Sequence, residues 1–201
     1  QIQRSQISEL ILDDIRKQQL ENRITPGMRI AVTAGSREIT NIDQIIKTVV
    51  DFIKDCGASP FIFHAMGSHG GATAEGQLEV LAGYGITEET MGCPILSSMD
   101  TVQISTAPNG LPVHIDKYAA QADGIIPIGR IKPHTDFHGK YESGLMKMLT
   151  IGLGKQYGAN LCHSLGMSNM PENIGLCRGS SPPEKCNFRS RHYRRCLPCH
   201  L

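Results

Sequence analysis

The stretch that decides the fold is residues 28–65, MRIAVTAGSREITNIDQIIKTVVDFIKDCGASPFIFHA. Its two ends, Met28–Thr33 and Pro60–Ala65, are short apolar runs of the length and composition that predict buried strands. Asn41 is placed to cap a helix between them, and Gly57 follows the end of that helix. The apolar face of this helix recurs at helical spacing in Ile42, Ile45, Ile46, Val49, Val50 and Ile53. A strand, a helix and a strand in this order predict a parallel βαβ unit.

The rest of the chain continues the alternation of helix and strand patterns. A further apolar run, Gly124–Ile128, predicts a third buried strand. The remaining patterns predict helices at 5–20, 73–81 and 116–122, a short strand at 93–97, and a hairpin joining 102–105 to 111–115 through Asn109-Gly110. We therefore expect a layered α/β domain with a largely parallel sheet, in which Met28–Thr33, Pro60–Ala65 and Gly124–Ile128 are neighbours.

Composition limits the classes of protein to which the chain can belong. No apolar run approaches the roughly 20 residues of a membrane span, and the N-terminus lacks the pattern of a secretory signal. Seven cysteines form no even disulfide framework, which favours a reducing compartment. We therefore expect a cytoplasmic protein that does not interact with membranes.

The last 27 residues, 175–201, differ in composition from the rest of the chain. They contain six Lys/Arg against one Glu, four of the seven cysteines, and no Val, Ile or Ala. Cys196-Leu197-Pro198-Cys199-His200 fits a c-type haem attachment pattern or half of a zinc site, but the absence of an export signal disfavours haem. The interpretation is a domain over 1–174 followed by an anomalous basic tail, frame-shifted or otherwise aberrant. Because residues 1–174 are net acidic, we expect no nucleic-acid partner.

Polar groups are concentrated in three segments that each follow a predicted strand. The first is Ala34–Arg37, the second is the glycine-rich loop Ala65–Thr73, and the third is 129–163, GRIKPHTDFHGKYESGLMKMLTIGLGKQYGANLCH. Parallel sheets bind their ligands at the carboxyl ends of strands, so these segments are expected to form the site. Thr73 is placed to cap the helix that follows the second loop, and backbone amides there suit an anionic group.

Each of these signals has a plain structural alternative. The glycine-rich loop is also typical of a connector with an exposed histidine, His69. Arg37 is compatible with an ordinary surface arginine, and Lys147 with a lysine extending from an apolar face. His163 is compatible with a core or helix-surface histidine. His64 and His114 lie in strand-like contexts and are interpreted as structural.

Taken together, the order and spacing of these segments resemble the N-terminal domain of the nickel-pincer-nucleotide-dependent lactate racemase family over roughly residues 28–174. The matching features are Arg37 after the first strand, Gly67-Ser68-His69, Pro133-His134, Gly144-Leu145-Met146-Lys147, and His163 sixteen residues beyond Lys147. The chain departs from the family pattern at Ala34, which replaces an acidic residue, and in a longer gap between His134 and Lys147.

The resemblance implies a role for each matching residue. His69 and His134 would be the two acid–base groups, one for each enantiomer. Lys147 would be linked covalently to a pyridinium-3,5-dithiocarboxylic acid mononucleotide, with Arg37 and Gly144 contributing to cofactor binding. Arg37 would hold the cofactor phosphate or, alternatively, the substrate carboxylate. His163 would bind the nickel of this nickel-pincer nucleotide.

The implied activity is racemisation or epimerisation of a small, lactate-like 2-hydroxy acid by proton-coupled hydride transfer to the cofactor. The implied partners are the hydroxy-acid substrate and the proteins of cofactor biosynthesis. The family's second domain has no counterpart here, so the chain is expected to be truncated before it and inactive alone. A catalytically incomplete fragment or a non-catalytic binding domain of the same fold is the alternative. A nucleic-acid or metal-binding module built on the tail is a third hypothesis, which the net acidic body disfavours.

Overall fold

A computed structural model describes residues 3–36, 39–130, 144, 147–164 and 166. Its α-helices are α1 (Arg4–Lys17), α2 (Ile42–Asp55), α3 (Ala74–Gly83), α4 (Glu88–Met91) and α5 (Lys155–Ser164). Its strands are β1 (Arg29–Ala34), β2 (Ser59–His64), β3 (Ile95–Leu96), β4 (Thr101–Thr106), β5 (Pro112–Asp116) and β6 (Gly124–Ile126). Single helical turns occur at Leu20–Asn22, Gly70–Ala72 and Ala119–Gln121, which are 3₁₀, and at Met148–Gly152, which is π-helical.

The four-stranded sheet has the order β3-β2-β1-β6 and is parallel throughout. Ile30 of β1 is in register with Pro60 on one side and with Gly124 on the other. The predicted neighbours are therefore confirmed, as is the mixed α/β class with a largely parallel sheet. The predicted hairpin is also confirmed: β4 and β5 form a separate antiparallel pair.

The two faces of the sheet are covered by different layers, because successive side chains of a strand point to opposite faces. Ile30 and Val32 belong to a core cluster with the apolar residues of α1 and α2. Ala31, Phe61 and Phe63 belong to a second cluster, which includes residues of the hairpin and the segment after Lys147. The candidate site segments therefore lie on a sheet buried from both sides.

Two local predictions need correction. Asn41 does precede α2, but it has a φ of 58° and its side chain makes no cap hydrogen bond. Its Oδ1 instead accepts a hydrogen bond from Arg4 Nη1 at 2.9 Å, an interaction available only once α1 lies against α2. The helix predicted at 116–122 is reduced to the 3₁₀ turn at 119–121. Asp116 is instead the last residue of β5, and its Oδ1 accepts the backbone N–H groups of Tyr118 and Ala119 in a side-chain turn that joins the strand to the 3₁₀ turn.

The strand order places a topological switch point between β1 and β6. The chain proceeds outward from β1 to β2 and β3, then returns to the opposite side of β1 as β6. In open α/β sheets the crevice at the carboxyl ends of such a pair is the usual ligand site. Here it is bridged by Thr33 Oγ1, which accepts a hydrogen bond from the N–H of Ile128 at 2.8 Å. No helix in the described ranges combines the length and apolarity needed to cross a bilayer.

Candidate active site

The loop that carries His69 is held in place by the helix that follows it. Thr73 Oγ1 accepts the N–H of Gly76 and so caps α3 as predicted. The fully buried Gln77 donates from Nε2 to the carbonyls of Gly67 and His69, each at 2.9 Å. A Cβ at Gly70 would lie 2.7 Å from the Gly76 carbonyl oxygen, so glycine is required for this close approach. The backbone around His69 is therefore fixed although its side chain is exposed.

The His69 imidazole contacts the loop that follows β1. Its Nδ1 lies 2.5 Å from Ser36 Oγ. The carbonyl of Ser36 in turn accepts a hydrogen bond from the Tyr84 hydroxyl at 2.9 Å. If His69 donates from Nδ1, its Nε2 carries the lone pair that a general base requires. Ser36 is a further candidate site residue that the sequence did not identify, since a serine beside an arginine is an unremarkable pattern.

The segment that carries Lys147 lies across the carboxyl ends of β1 and β2. Met148 Sδ is 3.2 Å from Thr33 Oγ1, and a Cβ at Gly35 would lie 3.3 Å from Met148 Cε. Further along, a Cβ at Gly152 would lie only 2.8 Å from the Ala65 carbonyl oxygen, so the two backbones touch. The half-buried Lys147 is thereby brought to the edge of the sheet where the His69 loop begins.

Gly144 and His163 flank this segment. The Gly144 carbonyl accepts the N–H of Met148 at 3.0 Å, and Gly144 has a φ of 72°, which favours glycine. His163 lies in the last turn of α5 and is exposed. The helix packs on the β4–β5 hairpin, where Tyr157 meets His114 edge to face with ring centroids 4.7 Å apart. Over the described residues, no group of three or more His, Cys, Asp or Glu side chains is arranged to hold a metal ion.

Two predicted site residues, Arg37 and His134, lie outside the described residues. The tail at 175–201, with its haem-like pattern, also lies outside them. The described part of the structure therefore brings together the His69 loop and the Lys147 segment, with His163 on the helix that continues from the latter.

A buried lysine next to this site was not identified from the sequence. Lys155, the first residue of α5, is fully buried, as is Asp116 at the end of β5. Lys155 Nζ lies 3.0 Å from Asp116 Oδ2 and 2.8 Å from His64 Nδ1, and it also donates to the His64 carbonyl. The structural interpretation of His64 agrees with its complete burial. The partners of Lys155 are too far away in sequence for any local pattern to indicate them.

The charges in this cluster change the proton affinities of its members. Burial, together with the positive charge of Lys155, lowers the pKa of His64 to about 3, so its ring is neutral. Burial also lowers the pKa of Lys155 to about 8, against the opposing effect of the Asp116 carboxylate. The cluster at neutral pH is therefore an ammonium–carboxylate pair with a neutral imidazole.

Comparison with known proteins connects this geometry to a family. No curated protein matches the chain. The sequence model of the family described as "Lactate racemase N-terminal domain" matches residues 1–174, which extends the resemblance noted above to include α1. Because this match covers most of the 201 residues, the chain belongs to the lactate racemase family through that family's N-terminal domain.

Proposed function

We propose that this chain supplies the N-terminal part of the active site of a racemase or epimerase that acts on a small 2-hydroxy acid. The observation that carries the proposal is the meeting of two segments at one edge of the sheet. The His69 loop and the Lys147 segment touch there, through the backbone contact between Ala65 and Gly152. This edge lies at the carboxyl ends of the parallel strands, where the fold favours a ligand site.

The candidate residues fit the family's nickel-pincer nucleotide in their chemistry. Lys147 offers a primary amine for covalent attachment, and the exposed His163 offers an imidazole nitrogen of the kind that binds nickel. Gly144 and Arg37 are the further candidates for holding the nucleotide. When bound, the group would supply the hydride acceptor, which makes inversion of a weakly acidic carbinol C–H feasible.

The chain's own contribution to turnover would be to bind, orient and move protons. His69 would exchange the proton of the substrate hydroxyl, because an unperturbed imidazole titrates near neutral pH. Ser36 would hold the His69 ring in one orientation through its contact with Nδ1. His134 would perform the same proton transfer for the opposite enantiomer.

The test is intact-mass and metal analysis of the chain co-expressed with the cofactor-biosynthesis proteins. We expect a nucleotide adduct on the unmodified sequence and none on Lys147→Arg, because a guanidinium stays protonated and is not nucleophilic. Lys17→Arg is the matched control, since Lys17 is an exposed lysine of α1, and it should keep the adduct. His163→Ala should keep the adduct and lose nickel. A Lys147→Arg protein that still carries the nucleotide mass would overturn the assignment.

A further inference from the structure

A chain of hydrogen bonds connects Lys155 to the start of α3. Lys155 Nζ donates to His64 Nδ1 at 2.8 Å, and the opposite ring nitrogen of His64, Nε2, lies 2.7 Å from Ser97 Oγ. Ser97 Oγ donates to the carbonyl of Ala74 at 2.9 Å. Lys155 can only donate, so His64 accepts at Nδ1. The single hydroxyl proton of Ser97 is donated to the Ala74 carbonyl, so Ser97 Oγ accepts from His64 Nε2. Each hydrogen bond of this chain therefore has a defined donor and a defined acceptor.

The chain of hydrogen bonds holds both ends of the His69 loop. His64 is the last residue of β2, directly before the loop, and its carbonyl accepts a hydrogen bond from Lys155. Ala74 is the first residue of α3, directly after the loop. Between these two anchored positions lie the glycine-rich turn and His69 itself.

The same lysine anchors the segment that carries the other candidate site residues. Lys155 begins α5, the helix that ends near His163, and it follows the π-helical turn that begins after Lys147. Asp116 holds this segment twice, through the ion pair with Lys155 and through its backbone N–H, which donates to the Leu153 carbonyl at 2.8 Å. Lys155 also has a φ of 55°, a conformation that residues other than glycine rarely adopt. A buried charge in an unfavourable backbone conformation is costly unless it is fully partnered, so its partners determine where the segment sits.

We propose that Lys155, His64 and Ser97 are positioning residues that set the His69 loop relative to the segment carrying Lys147 and His163. The proposal deepens the proposed function and rests on it for the role of His69. The placement of the loop itself is measurable without cofactor or substrate. The positioning role and the proposed function can therefore be disproved independently of each other.

The first measurement uses the unmodified 201-residue chain and long-range ¹⁵N–¹H NMR of its imidazoles. We expect His64 to be the neutral form with the proton on Nε2 at pH 7. A proton on Nδ1 would overturn the proposal, because Lys155 could then not donate to that nitrogen. This measurement needs no variant and so does not depend on whether a variant folds.

The second measurement compares Ser97→Ala with Ser97→Thr and with a matched control, Thr101→Ala. Thr101 also contacts a histidine, since its Oγ1 lies 3.1 Å from His114 Nδ1, but it belongs to the hairpin and not to this chain. Hydrogen exchange should be followed at the amides of His69 and Ala72, which are bonded to the carbonyls of Met66 and His69. We expect exchange at least about tenfold faster in Ser97→Ala, corresponding to about 1.4 kcal/mol of local stability. It should remain unchanged in the other two variants.

The His69 side chain supplies the readout that a merely structural role would not change. In Ser97→Ala the His69 ring resonances and titration midpoint should shift, and Ser97→Thr, which retains the hydroxyl, should restore them. If loop exchange and the His69 titration are the same in Ser97→Ala and Thr101→Ala, the positioning role is wrong. If these shift as expected while Lys147→Arg still carries the nucleotide, the proposed function fails and the positioning of the loop stands.

Discussion

At the scale of single residues, the site depends on side chains whose contacts cross long stretches of sequence. Ser36 meets His69 across 33 positions, and Lys155 meets His64 across 91. Gln77, from within a helix, joins two carbonyls of the His69 loop, those of Gly67 and His69. These residues contact His69, its loop or the strand before it, without belonging to the motifs that indicated the family. The motifs therefore mark the candidate site residues, and residues outside the motifs contact the segments that carry them.

Removing the Lys155 charge should be costly for stability. Lys155→Met leaves the Asp116 carboxylate buried without its partner, and breaking such a pair costs about 3–5 kcal/mol. The double variant Lys155→Met with Asp116→Asn should regain most of this loss, because an asparagine Oδ1 still accepts the N–H groups of Tyr118 and Ala119. Urea unfolding of both proteins measures the difference. Equal stability of the single and double variants would contradict the buried ion pair.

At the scale of elements, the site is made by close packing of backbone on backbone. The π-helical turn at 148–152 lies on the carboxyl ends of β1 and β2, and π-helical turns occur frequently at functional sites. Its contact with the strand ends is possible only because glycines remove side chains at the points of contact. The turn and the sheet edge therefore form one unit.

Adding a methyl group at the contact between the turn and β2 should separate them. Gly152→Ala places a Cβ 2.8 Å from the Ala65 carbonyl oxygen, and overpacking of this kind costs about 1–3 kcal/mol. Gly83→Ala is the control, since nothing lies within 4 Å of a Cβ at this helix position. It should leave the protein equally or more stable, because alanine is the better helix former. Thermal unfolding of the two variants measures the difference in stability. A Gly152→Ala protein as stable as the unmodified chain would contradict the close contact.

At the scale of the whole molecule, two cores and a buried polar cluster are joined by one parallel sheet. The cluster makes the stability of the domain depend on pH. His64 keeps a neutral ring down to a pKa of about 3 when folded, whereas an unfolded histidine binds a proton near pH 6.5. Between these values the unfolded state binds more protons, so the free energy of unfolding falls as the pH is lowered.

The pH dependence should be carried mainly by His64. Its contribution is fully present above about pH 6.5 and decreases toward pH 3 by at most about 1.4 kcal/mol per pH unit. His64→Asn should flatten the profile of unfolding free energy between pH 6.5 and 4.5. His114→Asn should change it less, because the His114 pKa is also lowered by burial but less strongly. Denaturant titrations over this range measure the slopes, and parallel profiles for the unmodified chain and His64→Asn would exclude the effect.

The sequence by itself determined the elements and the family. The spacing of apolar residues distinguishes the two-residue period of a strand from the 3.6-residue period of a helix, and both patterns are local in the sequence. They identified β1, α2, β2 and β6, and the spacing of short motifs indicated the lactate racemase N-terminal domain that the family match confirms. Where local reasoning failed at Asn41, the side chain had found a different hydrogen-bonding partner from the one its position suggested. Where it failed at 116–122, only a 3₁₀ turn formed in place of the predicted helix.

The sequence predicted β1, β2 and β6 as neighbours, but only the tertiary structure decided that β1 lies between the other two, and with it the place of the switch point between β1 and β6. It also decided that Lys155 is buried. A lysine beside glycines is usually exposed, and it can be buried here only because Asp116 and His64 reach it from two separate strands. The favourable interactions of a buried charge come from groups that folding brings together, so they leave no periodicity and no spacing in the sequence around it.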